Sequence, residues 1–452
     1  MREQWNITLP APVAQALERL ETAGFEAYVV GGCTRDALLG HAPEDWDITT
    51  SALPEETLGV FRDCRTIEIG RQHGTISVLL DGMQLEITTY RIDGDYKDSR
   101  HPDEVRFTRS LEEDLARRDF TMNAIAYSPS GGPVDVFGGA EDIRDRTIRC
   151  VGDPETRFTE DALRILRALR FSSVLGFPLA PETDAAVHAL KGRIAYVAVE
   201  RVAVELFKLL CGDDVFRVLT DYRDVLAVVL PELTPCFDFE QHNPHHCYDV
   251  YTHTAKSVEA VDPVPELRLA MLLHDLGKPE TFFFDEEQVG HFYGHGKVGA
   301  RLAETIVRRL KLSSKQQKEI VTLVEYHDYP LDPDRKILLR RLRKFGEETL
   351  RHLIAVQRAD AAAQTPALAG ERLDNLRKIE GVLEELIKEK PAVRITDLAV
   401  SGEDLKSLGM RTGPAVGDLL EELLQQVMEG SVPNERDALL TLAAERIRHD
   451  ER

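Results

Sequence analysis

The sequence predicts an α+β protein, with a mixed strand–helix head over residues 1–150 followed by an all-α remainder. Three observations carry this expectation. Residues Ala27 to Ile48 read as a strand, a double-glycine turn, a short helix ending at Gly40 and a second strand. Two apolar, β-branched runs, Thr75 to Leu80 and Met83 to Arg91, flank Asp81-Gly82, a strong hairpin signal. After residue 150 the apolar residues recur at helical spacing, as in Ala162, Leu163, Leu166 and Leu169.

The 452 residues allow two to four domains. A net charge of -22 argues against general nucleic-acid affinity, so any RNA contact must be made by local positive charge. The six cysteines (33, 64, 150, 211, 236, 247) include no C-x-x-C pair, which disfavours zinc ribbons and disulfides and suits a reducing cytoplasm. No apolar run approaches a membrane span, and the polar start MREQWNITLP does not read as a signal peptide. The expectation is a cytoplasmic protein with no membrane partner.

In the head, Asp45 and Asp47 share one face of the second strand, with Trp46 and Ile48 on the other. Two adjacent carboxylates repel unless a cation lies between them, and Mg²⁺ favours one or two carboxylates plus substrate phosphates. The Gly31-Gly32 turn lets backbone amides approach a triphosphate. Together these features suggest phosphoryl or nucleotidyl transfer; a lone D-x-D would more often be two exposed strand aspartates. The full stretch, G-G-x-x-R-D followed by D-W-D, resembles the nucleotidyltransferase signature of class II CCA-adding tRNA nucleotidyltransferases and bacterial poly(A) polymerases. The resemblance implies catalytic, Mg²⁺-holding roles for Asp45 and Asp47. It also implies a triphosphate-side shell of Gly31, Gly32, Arg35 and Asp36.

On the second hairpin strand Glu86, Thr88 and Tyr90 share a face, so Glu86 could lie beside the two aspartates or be a solvated glutamate. L-E-I-T-T-Y-R resembles the family's third-carboxylate strand, which implies a catalytic Glu86. Asp93 to Val105 is polar and holds Gly and Pro, and it reads as a loop. It resembles the flexible loop beside the active site of CCA-adding members, and its presence favours A addition. Ser110 with Glu113 forms a capping box for a helix expected to run through Arg117 to Ala124. Its R-R-D-x-x-x-N resembles the second family motif, with Arg118 on triphosphate oxygens and Asp119 and Asn123 on sugar hydroxyls or orienting the arginine. Without the first motif, Arg118 and Asp119 would be read as a surface pair.

Thr159 is expected to cap the helix T-E-D-A-L-R-I-L-R-A-L-R-F. Asp161 and Arg164, three apart, would then be neighbours on one side, with Arg167 and Arg170 extending a basic strip. An ordinary amphipathic helix would look the same. The match to the family's E-D-x-x-R motif implies that Asp161 and Arg164 select C and A. A carboxylate accepts from an exocyclic amine while a guanidinium donates to the ring nitrogen, whereas G and U leave both unpaired, at about 1–3 kcal/mol each. Residues 151–240 resemble the family's helical neck.

A second constellation lies at 241–365: His253, then His274-Asp275-Leu276-Gly277-Lys278, His295, His327 and Asp360. Its order resembles the HD phosphohydrolase superfamily, which implies His253, His274, Asp275 and Asp360 as metal ligands. His295 and His327 fall where two-metal members carry more. Imidazole with carboxylate suits a transition metal, which could supply a metal hydroxide; an inactive scaffold is the alternative. Two basic stretches, Arg308 to Lys318 and Arg335 to Lys344, are candidate contacts for a tRNA backbone. Residues 366–452 resemble the C-terminal tRNA-binding region of bacterial CCA-adding enzymes. The reading is CCA addition to tRNA from CTP and ATP. The alternatives are an A-adding enzyme or poly(A) polymerase, or an HD phosphohydrolase with an RNA-binding head. Oligomeric state is not legible.

Overall fold

Among the residues described by the computed structural model (5, 7–93 and 105–450), the head forms strands β1 (Ala27–Val30), β2 (Asp47–Thr50), β3 (Arg65–Ile67), β4 (Thr75–Leu80), β5 (Met83–Thr89), β6 (Arg91–Asp93), β7 (Val105–Phe107), β8 (Ile125–Ser128) and β9 (Gly132–Asp135). Seven of them make one sheet in the order β3-β4-β5-β2-β1-β8-β9, while β6 and β7 pair separately. Residues 94–104 of the polar loop lie outside the described residues.

The expected hairpin is present. Asp81 and Gly82 both have positive φ, 49° and 84°, which matches the right-handed twist of the strands they join. Within the main sheet β5 pairs antiparallel with β4 but parallel with β2, and this mixed pairing sets Glu86 opposite Asp47. Successive strand residues feed two cores. Val29 joins Ile48, Ile76, Leu85 and Ile87 under helix Ala11–Thr22, whereas Val30 packs with Leu115, Ala124 and Ala126 on the opposite face. Each buried Val, Leu or Ile among them contributes about 1.5–3 kcal/mol.

Three local expectations are corrected. Asp45 precedes β2, because its partner β1 ends at Val30 and the chain turns away at Gly31 (φ 89°). The helix capped by Ser110 stops at Ala116. Phe120 then runs extended into the core and bridges to Cys150, so only Thr121–Asn123 recoils, as one 3-10 turn. The expected helix from Thr159 is two helices, Pro154–Glu160 and Leu163–Leu175. Asp161 leaves helical geometry between them (φ -139°, ψ 102°). Its carboxylate accepts from the Leu163 amide at 3.1 Å, as a capping residue does.

The chain divides into two compact units, Met1–Pro231 and Glu232–Arg452. The first therefore joins the head to the neck helices. The second is helical except for one small antiparallel hairpin, Phe283–Phe284 with Gly290–His291, where helix alone was expected. Helices Arg335–Phe345, Glu347–Ala362 and Pro366–Lys388 share one core through Leu338, Leu350, Leu376 and Leu383. Among the described residues no helix is long and apolar enough to cross a membrane.

Candidate active site and metal centre

In the first unit, Gly32, Arg35, Asp36, Asp45, Asp47 and Arg170 line a cleft of about 630 Å³. Helix Gly32–Leu38 places Arg35 and Asp36 there, and β2 supplies Asp47 from its first residue. Gly31 is needed at the turn both for its positive φ and for space. A Cβ there would lie 3.3 Å from Arg118 Nη1 and 3.8 Å from Asp47 Oδ2.

Asp47 opens to the cleft but is enclosed by protein elsewhere, and this desolvation raises its carboxyl pKa. Arg118 opposes the shift, while Glu86 and Asp45 reinforce it by like charge. Such crowding is relieved by a bound cation, so the donor set fits a hard divalent ion such as Mg²⁺. Among the described residues the three head carboxylates do not make a tight three-ligand cluster.

The second-motif residues hold arginines in place. Asn123 Oδ1 accepts from Arg35 Nη1 at 2.8 Å, and Asn123 Nδ2 donates to Asp119 Oδ1 at 3.1 Å. Asp119 Oδ2 pairs with Arg167 at 2.6 Å. Burial alone would raise the Asp119 pKa, but Arg167 beside it and the hydrogen bonds from Asn123 and Arg167 hold it at about 2. Arg118 Nη2 reaches Asp114 Oδ2 at 3.4 Å, and the surrounding protein lowers its pKa by desolvation. Arg170 is likewise lowered by desolvation, to about 10, and its guanidinium lies 3.9 Å over Phe171.

The two residues expected to read the base each have another partner. Asp161 pairs with Arg201 at 2.7 Å. Buried Arg164 donates to Glu160 Oε2 at 2.7 Å and to the carbonyl of Arg117 at 2.9 Å. Sequence reasoning missed four supports: Asp114, which holds Arg117 and Arg118; Phe171; Arg201; and Glu205, which pairs with Arg167 and Arg170. Only Asp114, three and four residues before the arginines, left a local signal.

In the second unit the six expected ligands converge. His253 Nε2 lies 3.0 Å from Asp360 Oδ1 and 3.5 Å from Asp275 Oδ2, and His274 Nε2 lies 3.1 Å from Asp275 Oδ2. On the other side of Asp275, His295 and His327 approach its Oδ1 at 3.5 and 3.8 Å and face each other at 2.9 Å. Two ligand groups thus share Asp275. His253, His274 and His327 each turn Nδ1 to a backbone carbonyl, which leaves Nε2 aimed inward. His274 Nε2 is buried without a well-formed hydrogen bond, as an ion's ligand would be, and the Asp275 Oδ2 beside it is also the atom that Lys278 approaches. The residues fit a transition-metal centre. Sequence reasoning did not foresee the cations beside it: Lys278 at 2.7 Å from Asp275 and Arg372 at 2.8 Å from Asp360.

Parts of the basic stretches are paired internally. Arg309 is bound to Glu232 at 2.6 Å, Arg308 to Glu304 at 2.6 Å, and Arg335 and Arg343 to Glu389 and Glu421.

A mixed sheet with a glycine turn, strand-borne carboxylates and an arginine-lined cleft defines a nucleotidyltransferase head. Residues 27–149 match the family model described as "Poly A polymerase head domain". Residues 296–443 match that for tRNA nucleotidyltransferase domain 2, and 176–237 that for the RNA and SrmB-binding site of polymerase A. The chain is 36% identical to a CCA-adding enzyme of Levilactobacillus brevis, over 94% of this chain and 95% of that one. It is 37% identical to a CCA-adding enzyme of Geobacillus stearothermophilus, over 96% and 97%. It resembles the crystal structure of the Bacillus stearothermophilus CCA-adding enzyme in complex with CTP, with a TM-score of 0.70 and 32% identity, covering 98% of this chain and 99% of that one. The chain belongs to the class II CCA-adding tRNA nucleotidyltransferase family.

Proposed function

We propose that the protein adds CCA to the 3′ end of tRNA, using CTP and ATP without a nucleic-acid template. The observation that carries this is the cleft joining Asp45, Asp47 and Arg35 to Arg170, in a chain whose relatives over nearly its whole length are CCA-adding enzymes. Asp45 and Asp47, with Glu86 beside them, would hold Mg²⁺. The bound metal supplies charge stabilisation at the attacking and leaving oxygens. Gly31 and Gly32 present backbone to the triphosphate. Arg35 and Arg118 neutralise and orient it, Asp36 holds Arg35 in place, and Asn123 and Asp119 fix Arg35 and Arg167 for that purpose. Asp161 and Arg164 select the base, once Asp161 exchanges Arg201 for an exocyclic amine. Arg167 and Arg170 complete the nucleotide pocket. The exposed basic residues of the second unit contact tRNA phosphates, and the setting is the cytoplasm. Purified protein given tRNA transcripts ending in N, NC and NCC with both CTP and ATP, one labelled at a time, should extend all three to CCA. ATP use on NCC alone would assign an A-adding enzyme, and A tails without C would assign a poly(A) polymerase.

A second activity is favoured by the convergence of His253, His274, Asp275 and Asp360, with His295 and His327 alongside. This cluster would bind a transition metal and hydrolyse phosphoesters. That activity should survive Asp45→Ala and be lost in Asp275→Ala.

A further inference from the structure

We infer that Ile67 and Leu79, with Ser77 leading to them from Glu86, seat the 3′-terminal nucleoside of the tRNA being extended on the open face of the head sheet. This assignment rests on the nucleotidyl-transfer reading of the cleft and names where its second substrate lies.

The ladders put four residues in one row across neighbouring strands: Asp47 on β2, Glu86 on β5, Ser77 on β4 and Ile67 on β3. Residues directly opposite in a ladder send their side chains to the same face. Leu79, two residues beyond Ser77, shares that face and pairs with Arg65 and Gln84. The alternate residues Ile76, Val78, Leu85 and Ile87 face the other way and fill the core under helix Ala11–Thr22. Such alternation ordinarily leaves polar residues outside. Here Leu79 is 41% exposed and Ile67 39%, and Ile69, just past β3, is 90% exposed. Among the described residues of the head, the exposed large hydrophobic side chains are these three and Val136. β3 is an edge strand, where apolar side chains invite aggregation unless something covers them.

The geometry of the reaction determines what covers them. The nucleotide cleft is lined by residues between 32 and 47 and by the neck, and by no described residue of β3, β4 or β5. Gly31 and Arg35, which hold the triphosphate in this reading, follow β1, and β1 and β5 flank β2 on opposite sides. In nucleotidyl transfer the 3′-oxygen bonds to the α-phosphorus as the bond to the β-phosphate breaks. Pyrophosphate leaves and the hydroxyl proton passes to water. The attacking and leaving oxygens lie roughly in line. Pyrophosphate departing over β1 therefore requires the 3′-hydroxyl to enter from the β5 side, past Glu86. Strands lie about 4.8 Å apart, so the backbones of Ser77 and Ile67 are roughly 5 and 10 Å from that of Glu86. A ribose over Ser77 then sets its base on Leu79 and Ile67, with the exposed Arg65 beside Leu79 for a phosphate. The corner is firmly held. The Thr75 amide donates to the Gly70 carbonyl at 3.1 Å, and Arg71 pairs with Glu55 and Glu68 at 2.9 and 2.7 Å.

Steady-state incorporation by the full chain tests the seat, with a tRNA transcript ending in NC and the same transcript whose last nucleotide is an abasic ribose. Leu79→Ala and Ile67→Ala should each raise KM for the NC transcript roughly five- to tenfold, as for losing a few buried methyl groups. KM for CTP should not change, and Leu79→Met should recover most of the loss. Removing the base should weaken the wild type by a similar factor and the alanine variants little further, the non-additivity expected of groups in contact. Equal losses on base removal in wild type and both variants, or a rise in KM for CTP alone, overturns the seat. A transcript ending in 4-thiouridine, irradiated on the protein without CTP or ATP, reads position independently of chemistry. Crosslinks should fall at residues 65–79, and crosslinks confined to other segments overturn the seat even where incorporation is normal. Crosslinks at 65–79 in a protein that incorporates neither nucleotide keep the seat and remove the nucleotidyl-transfer reading alone.

Discussion

Asp47 and Glu86 are register partners on the parallel strands β2 and β5, so their side chains leave the sheet from adjacent positions on one face. Like charge from Glu86 helps raise the Asp47 pKa, which ties both residues to one electrostatic site. Asp47→Ala should reduce nucleotide incorporation by about a thousandfold, the loss of several kcal/mol of metal-borne charge stabilisation. Glu86→Gln should cost roughly ten- to a hundredfold, as for a supporting carboxylate. Single-turnover incorporation of labelled CTP measures both.

Base choice should depend on Asp161 more than overall rate does. Asp161→Ala removes one of the two partners proposed to read the base, so the preference for CTP over UTP should fall by about tenfold or more. The substitution also removes the cap on Leu163, at about 1 kcal/mol. The informative quantity is therefore the ratio of kcat/KM values. An unchanged ratio would remove Asp161 from base selection.

Phe171 supports three guanidiniums, those of Arg35, Arg167 and Arg170, at 4.9, 5.5 and 3.9 Å from its ring centroid. Phe171→Leu keeps the buried volume but removes the π face. With about 0.5–1 kcal/mol per cation–π contact, KM for CTP and ATP should rise several-fold. Thermal unfolding should change little.

Acid stability should be coupled to Asp119. Its pKa is depressed from 3.8 to about 2, so its contribution is present above pH 4 and disappears as pH falls toward 2. The depression corresponds to about 2 kcal/mol. Asp119→Asn should be less stable than wild type at pH 7 and show a flatter loss between pH 4 and 2, as urea unfolding at stepped pH would record.

The C-terminal cluster should link metal to folding. A transition metal at a hundred times its dissociation constant should stabilise the protein by about 2.7 kcal/mol, and a chelator should reverse the gain. Asp275→Ala, which removes the carboxylate shared by both ligand groups, should abolish the metal-induced shift in Tm.

Legibility followed the range over which each feature is decided. The glycine turn at Gly31, the Asp81-Gly82 hairpin and the alternation that turns Glu86 outward are settled by neighbouring residues, and the structure has all three. The His and Asp residues that converge in the second unit were legible as an ordered set of residue types. The break at Asp161 was not, because apolar spacing continues through it. What ends the first helix is a carboxylate that caps Leu163 and pairs with Arg201, forty residues on. Asp114 resembled an ordinary acidic residue of a helix's first turn. Its burial against Thr49, Arg117 and Arg118 depends on the sheet beneath it. Asp45 fell short of the strand because β1 ends early, which only the pairing reveals.

The two-residue turn at Asp81-Gly82 also limits how this region can vary in length. A single residue added there is either looped out of the turn, leaving both ladders intact, or kept in step with β4 by a one-residue slip of β5 against β2. With the slip, Glu86 would invert to the apolar side and Leu85 or Ile87 would be turned toward the carboxylates. Insertions in this turn should therefore silence the enzyme where β5 slips against β2, and spare it where the added residue is looped out.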